Sequence, residues 1–180
     1  MKRMKLFDAT ISPTVLYGSG SWAMTIERKR RLRTTQRKMI RAMNRSRSQH
    51  LRSTTEDYIA WITTSTKAAV ELMTKYGIQD WVARQAAAQW TWAGRVARLQ
   101  DGRWTKEVPE WDTVASRKQG RPEKRWIDDI NTFLSDKTDE KIDNHTLFKL
   151  AQDPTRWSSW QQMFVQQQQL KSCTSEVGAP

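Results

Sequence analysis

A single cysteine, Cys173, stands near the C-terminal end of the 180-residue chain, and one cysteine excludes any disulfide framework. Histidine is almost as scarce. His50 and His145 are isolated, and no CxxC or HxxxH spacing exists, so the sequence offers no conventional zinc site. Neither histidine has the Ser, Cys or Asp arrangement of a hydrolase triad. No apolar run approaches the roughly 18 residues that a membrane helix needs, and no h-region follows Met1-Lys2-Arg3. The expectation is a soluble intracellular protein that is not secreted and has no membrane partner. Walker-type and dinucleotide loops are missing too, and no cofactor or metal is expected. Even the aliphatics are thin: Leu, Ile, Val and Phe make up 31 of 180 residues, a content at which disorder becomes the default for a charged chain. Ten Trp and seven Met oppose that default, because each Trp buries a large apolar area. A small all-α fold with frayed ends is therefore expected.

What the chain does have is charge of one sign, placed unevenly. Residues 1–52 carry 14 Lys and Arg against only Asp8 and Glu27, whereas residues 53–180 carry 17 of each sign. The whole net charge of +12 thus lies in the first 52 residues. Its densest part is Glu27-Arg28-Lys29-Arg30-Arg31-Leu32-Arg33, continuing to Arg47. An ordinary solvated helix face mixes signs, so a block like this points to a polyanionic partner, nucleic acid. Arg28–Arg33 is also compatible with a nuclear-import signal, and so with a nuclear location.

Punctuation along the chain marks a series of helices. Ser12-Pro13 reads as an N-cap and first-turn pair opening a short helix through Tyr17, which Gly18-Ser19-Gly20-Ser21 breaks. Thr25 is placed to cap a helix over about 26–44 with Leu32, Met39, Ile40 and Met43 on one face and basic residues around the rest. Residues 44–53 read as a polar linker. Thr54 and Asp57 make a capping-box-like start, and Gly77 a stop, for a helix whose inward face is Tyr58, Trp61, Ile62, Ala69, Leu72, Met73 and Tyr76. A second helix over about 79–100 carries Trp81, Val82, Trp92, Val96 and Leu99, and the short connection favours an antiparallel hairpin. Residues 103–121 look irregular. Gly120-Arg121-Pro122 opens another helix with Ile127, Ile130, Phe133 and Leu134 inward, and an acidic loop follows over Asp136–Asp143. A short helix over about 145–151 precedes Asp153-Pro154, which starts a last helix with Trp157, Trp160, Phe164 and Val165. The glutamines 166–169 look frayed, and no internal repeat is found.

Two constellations could carry chemistry. Trp126-Ile127-Asp128-Asp129 has the form aromatic-x-Asp-Asp, and adjacent carboxylates at a tight turn can share Mg²⁺ for nucleotidyl transfer. In a helix, however, Asp128 and Asp129 point about 100° apart. The reading is therefore solvated carboxylates that pair with Lys124 or Arg125, and no catalytic residue is assigned. Arg117, Lys118, Arg121, Lys124 and Arg125 form a second basic patch at a helix N-terminus, suited either to phosphate or to a plain loop. Trp126 could stack on a base there, but serves better as a core anchor.

Taken together, the motifs resemble a known family. Leu16-Tyr17-Gly18-Ser19-x-x-Trp22, followed by Arg31-Leu32-x-x-x-Gln36-Arg37-Lys38-Met39-Ile40-Arg41, resembles the segment just downstream of the palm in non-LTR, LINE-type (RTE-like) retrotransposon reverse transcriptases. Trp90-Thr91-Trp92-Ala93-Gly94-Arg95-Val96-Ala97-Arg98, Asp101-Gly102-Arg103-Trp104-Thr105, Gly120-Arg121-Pro122-x-x-Arg125-Trp126-x-Asp128-Asp129-Ile130 and Ala151-Gln152-Asp153-x-x-x-Trp157 are similar in order and spacing to the C-terminal region of those polyproteins. The match covers roughly residues 12–165. It departs at Gly20, where the pattern usually has an acidic residue, and at Arg95, where it has a His.

The resemblance implies that residues 12–44 correspond to the thumb, which grips the template–primer duplex, and that the fingers, palm and endonuclease lie upstream. A chain beginning at Met1 within such a polyprotein implies a truncated element or a fragment. The expected organisation is a basic thumb-like segment over 1–53, a helical hairpin over 54–102, a Trp-rich helical region over 103–170 and a disordered tail over 171–180. The expected function is template–primer binding without catalysis. Its phosphate contacts would come from Arg28, Arg30, Arg31, Arg33, Arg37, Lys38 and Arg41, supported by Arg121, Lys124 and Arg125. RNA, DNA or their hybrid would be the partner, along with the upstream palm and fingers of a full-length element. A protein-docking module and a non-functional remnant of the same polyprotein are the alternatives.

Overall fold

Helical periodicity and well-placed caps dominate the sequence, and the computed structural model is all-α. It describes residues 2–44, 55–100, 104, 107 and 124–173, with no strand among them. The helices are α1 (Lys2–Leu6), α2 (Ser12–Val15), α3 (Ile26–Met43), α4 (Thr55–Tyr76), α5 (Trp81–Ala97), α6 (Asp128–Thr138), α7 (Asn144–Leu150) and α8 (Pro154–Cys173). They belong to two compact units, Met1–Tyr17 with Glu27–Arg84, and Gly18–Ile26 with Gln85–Pro180. The division falls within α5, whose first turn belongs to the basic unit and whose remainder belongs to the Trp-rich one.

In the basic unit, Ser12 is not a cap. A π-helical turn over Phe7–Ile11 joins α1 to α2, with the Ser12 N–H donating to the Phe7 carbonyl. Pro13 explains the wide turn. It has no N–H to donate to the carbonyl four residues back, and its ring crowds that carbonyl in a regular helix. The Ser12 hydroxyl is buried and accepts from Trp81 Nε1 at 2.8 Å, while Phe7 stacks on Trp81 with centroids 5.7 Å apart. Met4, Phe7, Ile40, Ala69, Met73, Ile78 and Trp81 form this unit's core. The stop at Gly77 is as expected. Gly77 has a φ of +66°, its N–H donates to Thr74 O, and the Ile78 N–H donates to Met73 O at 2.9 Å. This pair of bonds closes a helix only when the residue between can adopt the left-handed conformation.

The Trp-rich unit is built around Trp90 rather than Trp92. Trp90 and Trp157 stack at 4.1 Å and exchange hydrogen bonds, each indole N–H donating to the other's backbone carbonyl at 2.9 and 3.1 Å. Phe133 and Phe164 pack on Trp90 at 5.5 and 5.0 Å. Ile127, Ile130, Leu134, Leu147 and Phe148 belong to the same buried cluster. Gly94 is the point of closest approach, since a Cβ there would lie 2.6 Å from Trp157 Nε1. Asp153 caps α8 as expected, accepting from the N–H groups of Thr155 and Arg156, with Pro154 as its first residue. The glutamine run is not frayed. Gln168 falls on the same stripe as Trp157, Gln161 and Phe164, and it is buried. Beyond residue 173 the expected tail lies outside the described residues, as do most of the linker 44–53, Thr54 and most of the segment 103–121.

Candidate nucleic-acid interface

Helix α3 holds eight of the basic residues and one acid, Glu27. The expected narrow apolar stripe is present in part, with Ile40 buried and Leu32 and Met43 packed against the core, and largely polar positions are buried beside it. Lys29, Arg33, Gln36 and Ile40, spaced at i, i+4, i+7 and i+11, are the buried positions, whereas Met39 is exposed. Arg33 is the clearest correction to the expected phosphate contacts. Its Nε donates to Asp80 Oδ2 at 2.8 Å, its side chain is 4% exposed, and it is therefore turned away from any solvent-side polyanion. Asp80 has a second task, accepting from the Val82 N–H at 2.7 Å as the N-cap of α5. Gln36 completes the joint, its Oε1 accepting from the Trp81 N–H at 2.9 Å and its Nε2 donating to Gln79 O at 2.8 Å. A glutamine between Thr35 and Arg37 gives no sign of this in sequence. The i+3 and i+4 spacing to Arg33 and Ile40 is the available clue.

Burying that stripe turns the other cations outward. Arg28, Arg30, Arg31 and Lys38 are exposed, and Arg37 and Arg41 are half-buried. Arg31 pairs with Glu27 at 2.9 Å, with the two side chains 78% and 58% exposed. A pair so open to water is worth little and does not withdraw the guanidinium. Arg41 donates to Thr66 Oγ1 at 2.8 Å, which holds it against α4. At about 100° per residue, Arg30, Thr34, Arg37 and Arg41 line one flank of α3, and Arg31 and Lys38 lie in line on its outer face, about two turns apart.

The second basic patch is differently arranged, and it belongs to the Trp-rich unit. Helix α6 begins at Asp128, several residues later than expected from Pro122. Lys124 and Arg125 therefore precede the helix, and Arg121 lies outside the described residues. Lys124 Nζ is committed internally, donating to Met24 O at 2.8 Å and to Asp129 Oδ1 at 2.6 Å. Asp128 Oδ2 accepts from the Arg125 N–H at 2.7 Å. Of the expected pairings only Lys124 with Asp129 is an ion pair, since Asp128 meets a backbone N–H, and these carboxylates are not freely solvated: the Asp129 side chain is 12% exposed. Among the described residues no group of three His, Cys, Asp or Glu is placed to hold a metal ion. Trp126 packs against the aromatic core, and its carbonyl accepts from Gln89 Nε2.

The motifs that carry the resemblance have mainly structural work in this unit. Trp90, Gly94 and Trp157 make the stacked centre. Arg98 Nη1 donates to Ala151 O at 2.7 Å, and Gln152 Nε2 donates to Ala97 O at 2.8 Å, so that α5 and α7 satisfy each other's terminal carbonyls. Gly20 packs on α5, where a Cβ would lie 2.8 Å from Trp92 Cβ. The glycine that departs from the pattern thus suits this packing.

The chain is similar to a transposon-derived protein. It is 26% identical over 141 residues to a putative uncharacterized transposon-derived protein of Caenorhabditis elegans, across 74% of this chain and 44% of that one. The chain thus spans less than half the length of this relative. No family model matches the sequence, and no solved structure matches it. No helix among the described residues is long and apolar enough to cross a membrane.

Proposed function

We propose that this chain is the thumb and C-terminal helical part of a non-LTR retroelement reverse transcriptase, which holds a template–primer by its phosphates and performs no catalysis of its own. The observation that carries the reading is the outer arc of α3. With Lys29, Arg33, Gln36 and Ile40 buried, Arg28, Arg30, Arg31, Arg37, Lys38 and Arg41 remain around the rest of the helix, and Glu27 is their one acidic neighbour on it. Rows of cations at one- and two-turn spacing follow a backbone without reading bases. The similarity to a transposon-derived protein supports a transposon origin, with which this reading agrees.

The test is fluorescence anisotropy of a labelled RNA–DNA hybrid titrated with the purified chain at several salt concentrations. Binding is expected to weaken linearly on a log–log plot as salt rises. The triple substitution Arg30→Gln, Arg37→Gln, Lys38→Gln is expected to weaken all sequences alike and to reduce the slope by roughly 0.9 for each phosphate that is no longer neutralised. An unchanged slope would count against the assignment. A second reading, docking on the palm of a full-length element, is favoured by Leu6, Ile11 and Tyr17, which are 62%, 40% and 86% exposed in one N-terminal stretch. Strong binding to such a catalytic core with no affinity for the hybrid would support that reading instead.

A further inference from the structure

Thr34 stands in the middle of the outward cations of α3. On a helix surface the neighbours of a residue are those three and four positions away. For Thr34 these are Arg30, Arg31, Arg37 and Lys38, all of them cations, and no other position of α3 is surrounded in this way. Arg30 and Arg37 lie about 40–60° to one side of it, Arg31 and Lys38 about 40–60° to the other, and all four lie within about 6 Å along the axis. Thr34 is exposed, as are Arg30, Arg31 and Lys38, and Arg37 is half-buried. Glu27, the one acid of the helix, stands about 10 Å back along the axis, paired with Arg31.

The hydroxyl at the centre is not engaged with its own helix. Thr10, Thr14, Thr63, Thr74 and Thr138 each donate to the carbonyl four residues earlier. Thr34 makes no such bond among the described residues, so its O–H is open to a partner from solvent. Packing does not account for the residue either, because Thr34 projects about 100–160° around the helix from the buried Lys29, Arg33, Gln36 and Ile40. Cations at these spacings repel one another, and an anion between them relieves the repulsion. A phosphodiester suits the place. It can accept from a hydroxyl through one unesterified oxygen while it meets cations on both sides, and hydroxyls are among the groups that fix a backbone's register.

We propose that Thr34 marks the seat of one backbone phosphate, which accepts a hydrogen bond from the Thr34 hydroxyl while Arg30 and Arg37 on one side and Arg31 and Lys38 on the other neutralise it. This rests on the phosphate-holding reading of α3 and deepens it. A file of cations alone lets a polyanion slide, whereas one directional donor at its centre sets where a phosphate stops.

The experiment measures the anisotropy of labelled RNA–DNA hybrids of two unrelated sequences with the full chain, Thr34→Val and Thr34→Ser over a range of salt. Thr34→Val keeps the branched shape and removes the donor. It is expected to bind both hybrids roughly three- to tenfold more weakly than the parent at every salt concentration. The slope of the log–log salt plot should stay the same, because no charge is lost. Thr34→Ser keeps the hydroxyl and should bind like the parent. The position is exposed, so an unchanged helical circular dichroism signal and melting temperature verify the fold of both variants. Parent-like binding by Thr34→Val, or an equal loss in Thr34→Ser, overturns the seat and leaves the phosphate row standing with its salt slope. A shallower slope in Thr34→Val also overturns it, since charge contacts and not the hydroxyl would then have been lost. Failure of the parent chain to bind either hybrid removes both proposals.

Discussion

In the basic unit much of the buried face of α3 is polar. Arg33 reaches Asp80, Gln36 brackets the first peptide of α5, and the apolar cluster around Phe7, Ile40 and Trp81 is modest. In the Trp-rich unit the centre is aromatic: Trp90 and Trp157 stacked face to face, with Phe133 and Phe164 set against Trp90. The difference follows from composition. A helix in which eight of 18 residues are cations cannot turn every charge to water and still present a packed face, so its inward positions are filled by long side chains that keep hydrogen-bonded partners. A region with balanced charge and closely spaced Trp can close on ring area alone. The basic unit should therefore be sensitive to the loss of single polar partners, and the other unit to the loss of aromatic volume.

The largest expected effect is in the aromatic centre. Trp90→Ala should destabilise the Trp-rich unit by about 3–5 kcal/mol, the usual cost of truncating a fully buried Trp. Trp90→Phe, which retains a ring and loses the hydrogen bond to Trp157 O, should cost about 1–2 kcal/mol beyond any repacking. Urea unfolding followed by near-ultraviolet circular dichroism measures both, and equal losses from the two variants would mean that stacking contributes little. Next comes Arg33→Met, which leaves the Asp80 carboxylate without its guanidinium. We expect a loss of about 2–3 kcal/mol, less than for a deeply buried pair because Asp80 remains 19% exposed and still caps Val82. A variant as stable as the parent would show that the pair is replaceable by apolar volume. Gln36→Ala removes the partner of the Trp81 N–H and of Gln79 O, and should cost about 1–2 kcal/mol by the same denaturation.

The smallest expected effect is at the exposed start of α7. Thr146 donates to the Asp143 carboxylate and holds its pKa below the ordinary carboxylate value, helped by the neighbouring His145. A depressed folded-state pKa means that the cap contributes fully above the ordinary carboxylate range and loses its contribution as pH falls below it. Asp143→Asn, which keeps an acceptor but not the charge, should flatten that part of the stability–pH curve slightly. A curve identical to the parent's would show that the cap is not felt globally.

Local signals were readable where chemistry is local. The stop at Gly77 needed only a residue able to take a positive φ, and Asp153-Pro154 needed only a cap followed by a residue with no N–H to satisfy. The inward faces Ile127, Ile130, Phe133, Leu134 and Trp157, Phe164 followed from period. Readings failed where a partner from elsewhere in the chain decided the matter. Ser12 looked like a cap and serves as the acceptor for Trp81, 69 residues away. Gln168 looked frayed and is buried. Pro122 looked like the opening of a helix that begins at Asp128.

The candidate interface divides in the same way. The concentration of cations in residues 1–52, and hence the pull toward a polyanion, is a property of the sequence itself, because charge count and helical register need no tertiary contact. Which of those cations faces outward is not. Arg33 and Arg37 are the same residue type one turn apart, and Asp80 stands against the one that lies on the buried stripe. The all-α class was set by periodicity and caps, which act within a turn or two. The buried stripe of α3, the choice of Trp90 over Trp92 as the aromatic centre, and the internal commitment of Lys124 were decided by packing, because each depends on groups that the chain brings together from tens of residues apart.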